Sequence, residues 1–130
     1  VQGAPVAPVA DLSRQRAVVD AFLAASRSGD FDALIAALDP EVVLRADRAA
    51  VETGASREVR GAPAVAAVFS GRARVARPAL VDGAVGAVWA PGGRPRVVFG
   101  FTIMRGKIVE IDLVADPERL GDLDVAILDD

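Results

Sequence analysis

The stretch Val97-Val98-Phe99-Gly100-Phe101-Thr102-Ile103-Met104-Arg105-Gly106-Lys107-Ile108-Val109-Glu110-Ile111-Asp112-Leu113-Val114 reads as a β-hairpin. Two runs rich in Val, Ile and Phe flank Arg105-Gly106, and glycine suits the second place of a tight two-residue turn. That turn predicts Met104 opposite Lys107, Phe101 opposite Glu110 and Phe99 opposite Asp112. Strand alternation then puts Val97, Phe99, Phe101, Ile103, Ile108, Glu110, Asp112 and Val114 on one face. Two carboxylates among aromatics make this hairpin the first place to look for chemistry.

Upstream, Ala79 to Val81 and Val85 to Ala90 also read as strands, divided by the turn signals Asp82-Gly83 and Pro91-Gly92-Gly93. The first half is helical in pattern. From Asp11, a plausible N-cap, the residues Leu12, Val19, Phe22, Leu23 and Ser26 fall on one stripe. Gly29 ends that helix and Asp30 caps a second, in which Phe31, Leu34, Ile35 and Leu38 recur at helical spacing until Pro40 stops it. Glu41 to Ala46 follows as a strand, Asp47 to Arg60 as a polar loop, and a third helix opens at Pro63 with Val65, Val68 and Phe69 facing inward. Helices first and hairpin-linked strands after them define an α+β fold: a bent antiparallel sheet wrapped around about three helices, leaving a conical cavity. Residues 1–10, with Pro5 and Pro8, read as a proline-rich linker, and 11–130 as one domain with an acidic C-terminal tail.

Composition narrows the chemistry. The 130 residues contain no histidine, cysteine or tyrosine, the side chains that most often move protons or attack substrates near neutral pH. Any catalysis falls to Asp, Glu, Arg, Lys, Ser or Thr, which ranks a binding or regulatory role ahead of an enzymatic one. Without cysteine there is no disulfide framework or thiolate metal site, and no cofactor or metal is expected. A formal charge of -3 argues against direct nucleic-acid binding, although Arg72, Arg74, Arg77, Arg94 and Arg96 form either a local basic patch or ordinary solvated surface. No apolar run is long enough for a membrane span, and the chain reads as cytoplasmic.

If the hairpin face lines a cavity, burial raises the pKa of Glu110 or Asp112, and either then serves as a general base or a ligand hydrogen-bond partner. The alternative is a structural network in which Arg45, Arg60 or Arg74 pairs the acids. Arg45 and Asp47 share a side of the first strand, and Glu58 and Arg60 sit just before the third helix, as a pocket rim or as surface charge. Trp89, the only tryptophan, is a core aromatic, an interface anchor or a ligand platform. The expected ligand pocket comprises Phe69, Trp89, Phe99, Phe101, Glu110 and Asp112, with Asp112 and Glu110 as the catalytic residues if the protein is an enzyme. Gly92-Gly93 lacks the following helix of a phosphate loop.

The run Ser28-Gly29-Asp30-Phe31-Asp32-Ala33-Leu34-Ile35 through Leu38-Asp39-Pro40-Glu41-Val42-Val43-Leu44 resembles the opening of a SnoaL-like domain of the NTF2-like superfamily. More narrowly, Val59-Arg60-Gly61-Ala62-Pro63-Ala64-Val65-Ala66, Ala76-Arg77-Pro78-Ala79-Leu80-Val81-Asp82-Gly83 and Gly106-Lys107-Ile108-Val109-Glu110-Ile111-Asp112 resemble the C-terminal domain of a group of extracytoplasmic-function RNA polymerase sigma factors. Asp116-Pro117-Glu118-Arg119-Leu120 is similar to the Asn-Pro-Asp-Lys-Leu motif of those domains. One departure stands out: where they carry Asp-Gly-Gly-Gly after the first strand, Asp47 here precedes Arg48, Ala49 and Ala50.

The resemblance implies a regulatory domain that touches the sigma core of its own polypeptide and tunes RNA polymerase. Asp47, Asp116, Pro117, Glu118, Arg119 and Leu120 would be the contact residues, with a small hydrophobic ligand in the cone as a further partner. Two other readings stand beside it: a SnoaL-like cyclase, isomerase or epoxide hydrolase, and a homodimeric ligand binder.

Overall fold

The computed structural model describes residues 9–70 and 76–128. Helices α1 (Val9–Ser28) and α2 (Phe31–Ala37) lead into β1 (Leu38–Ala46), α3 (Arg48–Glu52), β2 (Glu58–Arg60) and α4 (Ala62–Phe69). Then come β3 (Arg77–Val81), β4 (Ala84–Trp89), β5 (Val97–Met104), β6 (Lys107–Val114), α5 (Pro117–Asp122) and β7 (Val125–Ile127). The seven strands form one sheet in the order β2-β1-β6-β5-β4-β3-β7. It is mixed rather than purely antiparallel, because β1 runs parallel to β6 while every other pair is antiparallel.

The helices start and stop for local reasons. Gly29 takes a φ of 72°, which an L side chain resists, and so closes α1; the Asp30 carboxylate accepts the Ala33 N–H at 3.1 Å and opens α2. Two boundaries differ from the sequence expectation. The chain is already helical at Val9, the first described residue and ahead of Asp11, and α2 yields to strand at Leu38, so that Pro40 lies inside β1. The linker expected over residues 1–10 lies largely outside the described residues.

One face of the sheet carries α1, α2 and α4 over an apolar core of Val19, Phe22, Leu34, Leu44, Val65 and Ile111, among others. Phe22 is fully buried at its centre, edge-on to Phe69 at 5.1 Å and to Phe101 at 5.7 Å between ring centroids. Ser26, the polar residue buried in this layer, donates its hydroxyl to the Phe69 carbonyl at 2.6 Å, so α1 and α4 are joined where an unpaired group would be costly.

The expected hairpin register fails by one residue. Met104 and Ile103 face Lys107 and Ile108 as expected, but Thr102 then pairs with Glu110, Phe101 with Ile111, Gly100 with Asp112 and Phe99 with Leu113. Val109 is the extra residue, a β-bulge. Its insertion turns Glu110, Asp112 and Val114 to the opposite face from Phe99 and Phe101. The β1–β6 ladder breaks at the same level, between Leu38 and Val43, where Pro40 has no N–H to give.

Two further departures sit at the ends. The expected loop over 47–60 contains α3 and β2, because Asp47 caps Arg48–Glu52 and Val59 extends into a short edge pairing with β1. The expected acidic tail is not loose over its described part: α5 crosses the outer face and β7 pairs with β3, while Asp129 and Asp130 lie outside the described residues. Leu120, Leu123, Val125 and Ile127 thereby cover a second, smaller core of Ala79, Val88, Val98 and Val114 on the face away from the three helices.

Candidate functional site

The residues expected to share one pocket are divided among three places. Phe69, Phe99 and Phe101 belong to the aromatic centre beneath the helices, Phe69 and Phe99 lying 6.2 Å apart. Glu110 and Asp112 stand on the outer face. Trp89, 39% exposed, ends β4 at the rim of a separate groove.

On the outer face, alternation along β2, β1 and β6 aligns Glu58 and Arg60, Val43 and Arg45, and Glu110 and Asp112 as cross-strand neighbours. Arg45 Nη1 meets Glu110 Oε2 at 3.0 Å, Arg45 Nε lies 3.7 Å from Glu58 Oε1, and Arg60 Nε lies 2.6 Å from Glu58 Oε2. The Arg60 hydrogen bond and charge hold the exposed Glu58 carboxyl below its ordinary value, with Arg45 assisting against slight desolvation. Asp112 goes the other way. Burial raises its pKa, and the charge and hydrogen bond of Glu110 raise it further, against the opposing charges of Arg45 and Arg119. This is the structural network of the sequence alternative. Of its three candidate cations, Arg45 reaches Glu110, Arg60 pairs among the described residues with Glu58 and not with Glu110 or Asp112, and Arg74 lies outside the described residues.

Asp47 links the end of β1 to the motif after β6. Its side chain is only 10% exposed. One oxygen accepts the Ala50 N–H at 2.9 Å and caps α3; the other accepts the N–H groups of Ala115 at 2.9 Å and Asp116 at 3.0 Å, with Arg119 Nη1 at 3.7 Å. Burial pushes its pKa up, but the hydrogen bonds from Ala50, Asp116 and Ala115 and the charge of Arg119 together bring it below the ordinary value. Asp116 in turn caps α5 by accepting the Glu118 N–H at 3.2 Å. Thus Asp47, Asp116 and Arg119, grouped from sequence as contact residues, are held together by one carboxylate. Within α5, Pro117, Glu118 and Arg119 are exposed, whereas Leu120 packs against the smaller core.

Where β1, β5 and β6 meet their loops, a groove of about 1030 Å³ opens between α3, α5 and the 89–97 connection. Ala49, Thr53, Trp89, Val97, Pro117 and Leu120 give it apolar walls, and Glu52, Arg94 and Arg96 supply charge. Sequence reasoning treated the two arginines only as patch or solvated surface. The usable signal was their place in Pro91-Gly92-Gly93-Arg94-Pro95-Arg96, a stiff loop that returns beside the only tryptophan.

An α1–α2 entry, a bulged sheet wrapped on three helices and a short helix after the last long strand define the NTF2-like, SnoaL-like fold. The chain is similar to Mycobacterium tuberculosis extracytoplasmic function sigma factor SigJ, at 26% identity and a TM-score of 0.62 over 82% of this chain. It spans 43% of that sigma factor's length. An NTF2-like protein of unknown function from Burkholderia xenovorans LB400 matches at 21% identity and TM-score 0.55, covering 81% of this chain and 85% of that one. A putative polyketide cyclase from Sinorhizobium meliloti matches at 22% and 0.52, covering 75% and 94%. The latter two likenesses show the fold. No protein-family model matches the sequence, and comparison with curated proteins gave no match. Among the described residues, no helix is long and apolar enough to cross a membrane.

Proposed function

We propose that this chain is a regulatory domain of an extracytoplasmic-function sigma factor, acting by contact with a sigma core and so on RNA polymerase in the cytoplasm. The observation that carries this reading is the likeness to SigJ over 82% of the chain, at higher identity than the other two matches described above. The shape of the motif supports it. Asp47 and Asp116 fix α5 so that Glu118 and Arg119 project outward while Leu120 anchors the helix, which suits a charged contact presented on a rigid support.

The enzymatic alternative has less to stand on. Glu110 and Asp112, its candidate bases, share neither face nor pocket with Phe99 and Phe101, and Glu110 is neutralised by Arg45. Titration calorimetry of the domain against the sigma core, at two salt concentrations, tests the proposal. Salt-sensitive binding that weakens in Glu118→Lys or Arg119→Glu is expected. Absence of binding at both salts would defeat the reading and return attention to a small-molecule role.

A further inference from the structure

We infer that the groove between α3, α5 and the 89–97 connection is a binding site for a planar aromatic carboxylate, separate from the cone interior. It stands whether or not the domain engages a sigma core. Three observations on this chain converge on that chemistry. The first is size: about 1030 Å³ accommodates a small organic molecule and leaves room for water. The second is the indole. Trp89 is 39% exposed, an unusual position for the largest aromatic in a chain with an available core, and it lines the groove together with Val97, its partner on β5.

The third is charge without a partner. Glu52, the acid on this rim, has Arg48 at 3.9 Å, whereas among the described residues neither Arg94 nor Arg96 has an ion pair. The backbone that carries both arginines is closed into a loop. The Arg96 N–H donates to the Trp89 carbonyl at 2.8 Å and the Gly93 N–H to the Ala90 carbonyl at 3.0 Å, while Gly92 and Gly93 adopt the positive φ values that the tight path requires. The backbone at Trp89 and at Arg96 is therefore joined directly, and both residues line the groove. A flat ring laid on Trp89 would place its carboxylate toward arginines able to receive it in bidentate fashion. A neutral ligand would leave that pair of charges unused.

The sole tryptophan reports on the site directly. Titrating the full chain with naphthalene-2-carboxylate, and in parallel with the neutral naphthalene-2-carboxamide, should give saturable, absorbance-corrected quenching of Trp89. The carboxylate should bind about tenfold more tightly than the amide. Arg94→Ala and Arg96→Ala, both on an exposed connection, should each weaken the carboxylate by about tenfold with circular dichroism unchanged. Amide chemical-shift changes should fall on Arg94, Arg96, Val97, Leu120 and Gly121. Equal affinity for acid and amide, unaltered affinity in both arginine variants, or shifts confined to the Phe99–Phe101 segment would each overturn the assignment. So would the lack of saturation at millimolar ligand.

Discussion

The two faces of the sheet solve the same burial problem differently. On the helix-bearing face, Phe22, Phe69, Phe99 and Phe101 interlock with aliphatic residues from α1, α2 and α4 in one continuous layer. The outer face is divided: a C-terminal strap of α5 and β7 covers Val88, Val98 and Val114, while β2, β1 and β6 present arginines and carboxylates. The inner layer depends on many dispersion contacts and tolerates no gap. The outer one depends on a few hydrogen bonds that seat the strap. What assigns a β6 residue to one face or the other is a single extra residue, Val109.

Deleting Val109 attacks the comparison at its root and should have the largest effect. Without it β6 would pair with β5 as a regular strand, Glu110 still opposite Thr102 and Ile111 still opposite Phe101, but the bend that answers the β1 break at Pro40 would be lost and the sheet would flatten away from the helices. We expect loss of cooperative unfolding and of near-ultraviolet circular dichroism; a folded variant with native-like melting would show that the curvature of the sheet is set elsewhere. Phe22→Ala comes next. It removes the ring shared by Phe69 and Phe101 and should cost about 3–5 kcal/mol in urea unfolding, whereas a loss near 1 kcal/mol would mean that the inner layer collapses around the gap.

These two cases mark where the sequence was legible. Elements with strong local signals were read closely: β5 and β6 at their observed ends, the Arg105-Gly106 turn with φ values of 55° and 76°, the Asp30 cap, and the buried stripe of α1. The bulge was not, because Val109 is an ordinary strand residue and its displacement answers to curvature against β1 and its Pro40. The candidate site suffered most from this, since one slip separates acids from aromatics. Likewise β7 depends on pairing with β3 through only three residues, and the triple use of Asp47 joins groups 68 and 69 positions apart. No local pattern announces either. The motif around Asp116 was legible by resemblance, but its neighbour Asp47 becomes intelligible only as the group that holds it.

Asp47→Ala tests the strap. It releases the α3 cap and leaves the Ala115 and Asp116 N–H groups without their acceptor, at a cost of about 2–3 kcal/mol; Asp47→Asn should retain part of this. The pH dependence follows from the lowered pKa. The wild type holds this contribution above the unfolded aspartate value of about 3.9 and loses it as pH falls from there through the depressed folded value. A chemical-denaturation series across acid pH should therefore show the wild type and Asp47→Ala converging at the low end. Parallel curves would mean that the carboxylate is not what seats α5.

Asp112→Asn should have the smallest effect and the opposite sign of pH dependence. Its folded pKa is raised, so the native state binds the proton more readily than the unfolded chain does. Between the two values stability rises as pH falls, and above the folded value the ionised carboxylate is a mild burden on the outer face. Removing that charge should leave stability at neutral pH unchanged or slightly higher, within about 0.5 kcal/mol given the partial exposure of the site. It should also flatten the acid-side rise. Here the comparison is sharpest: a carboxylate seated by backbone N–H groups makes the strap weaken in acid, while its neighbour on β6, crowded by Glu110, is relieved by the same protons. A clear loss of stability in Asp112→Asn at neutral pH would show that the ionised form is instead held by Arg45 and Arg119, and that the outer network is a net source of stability.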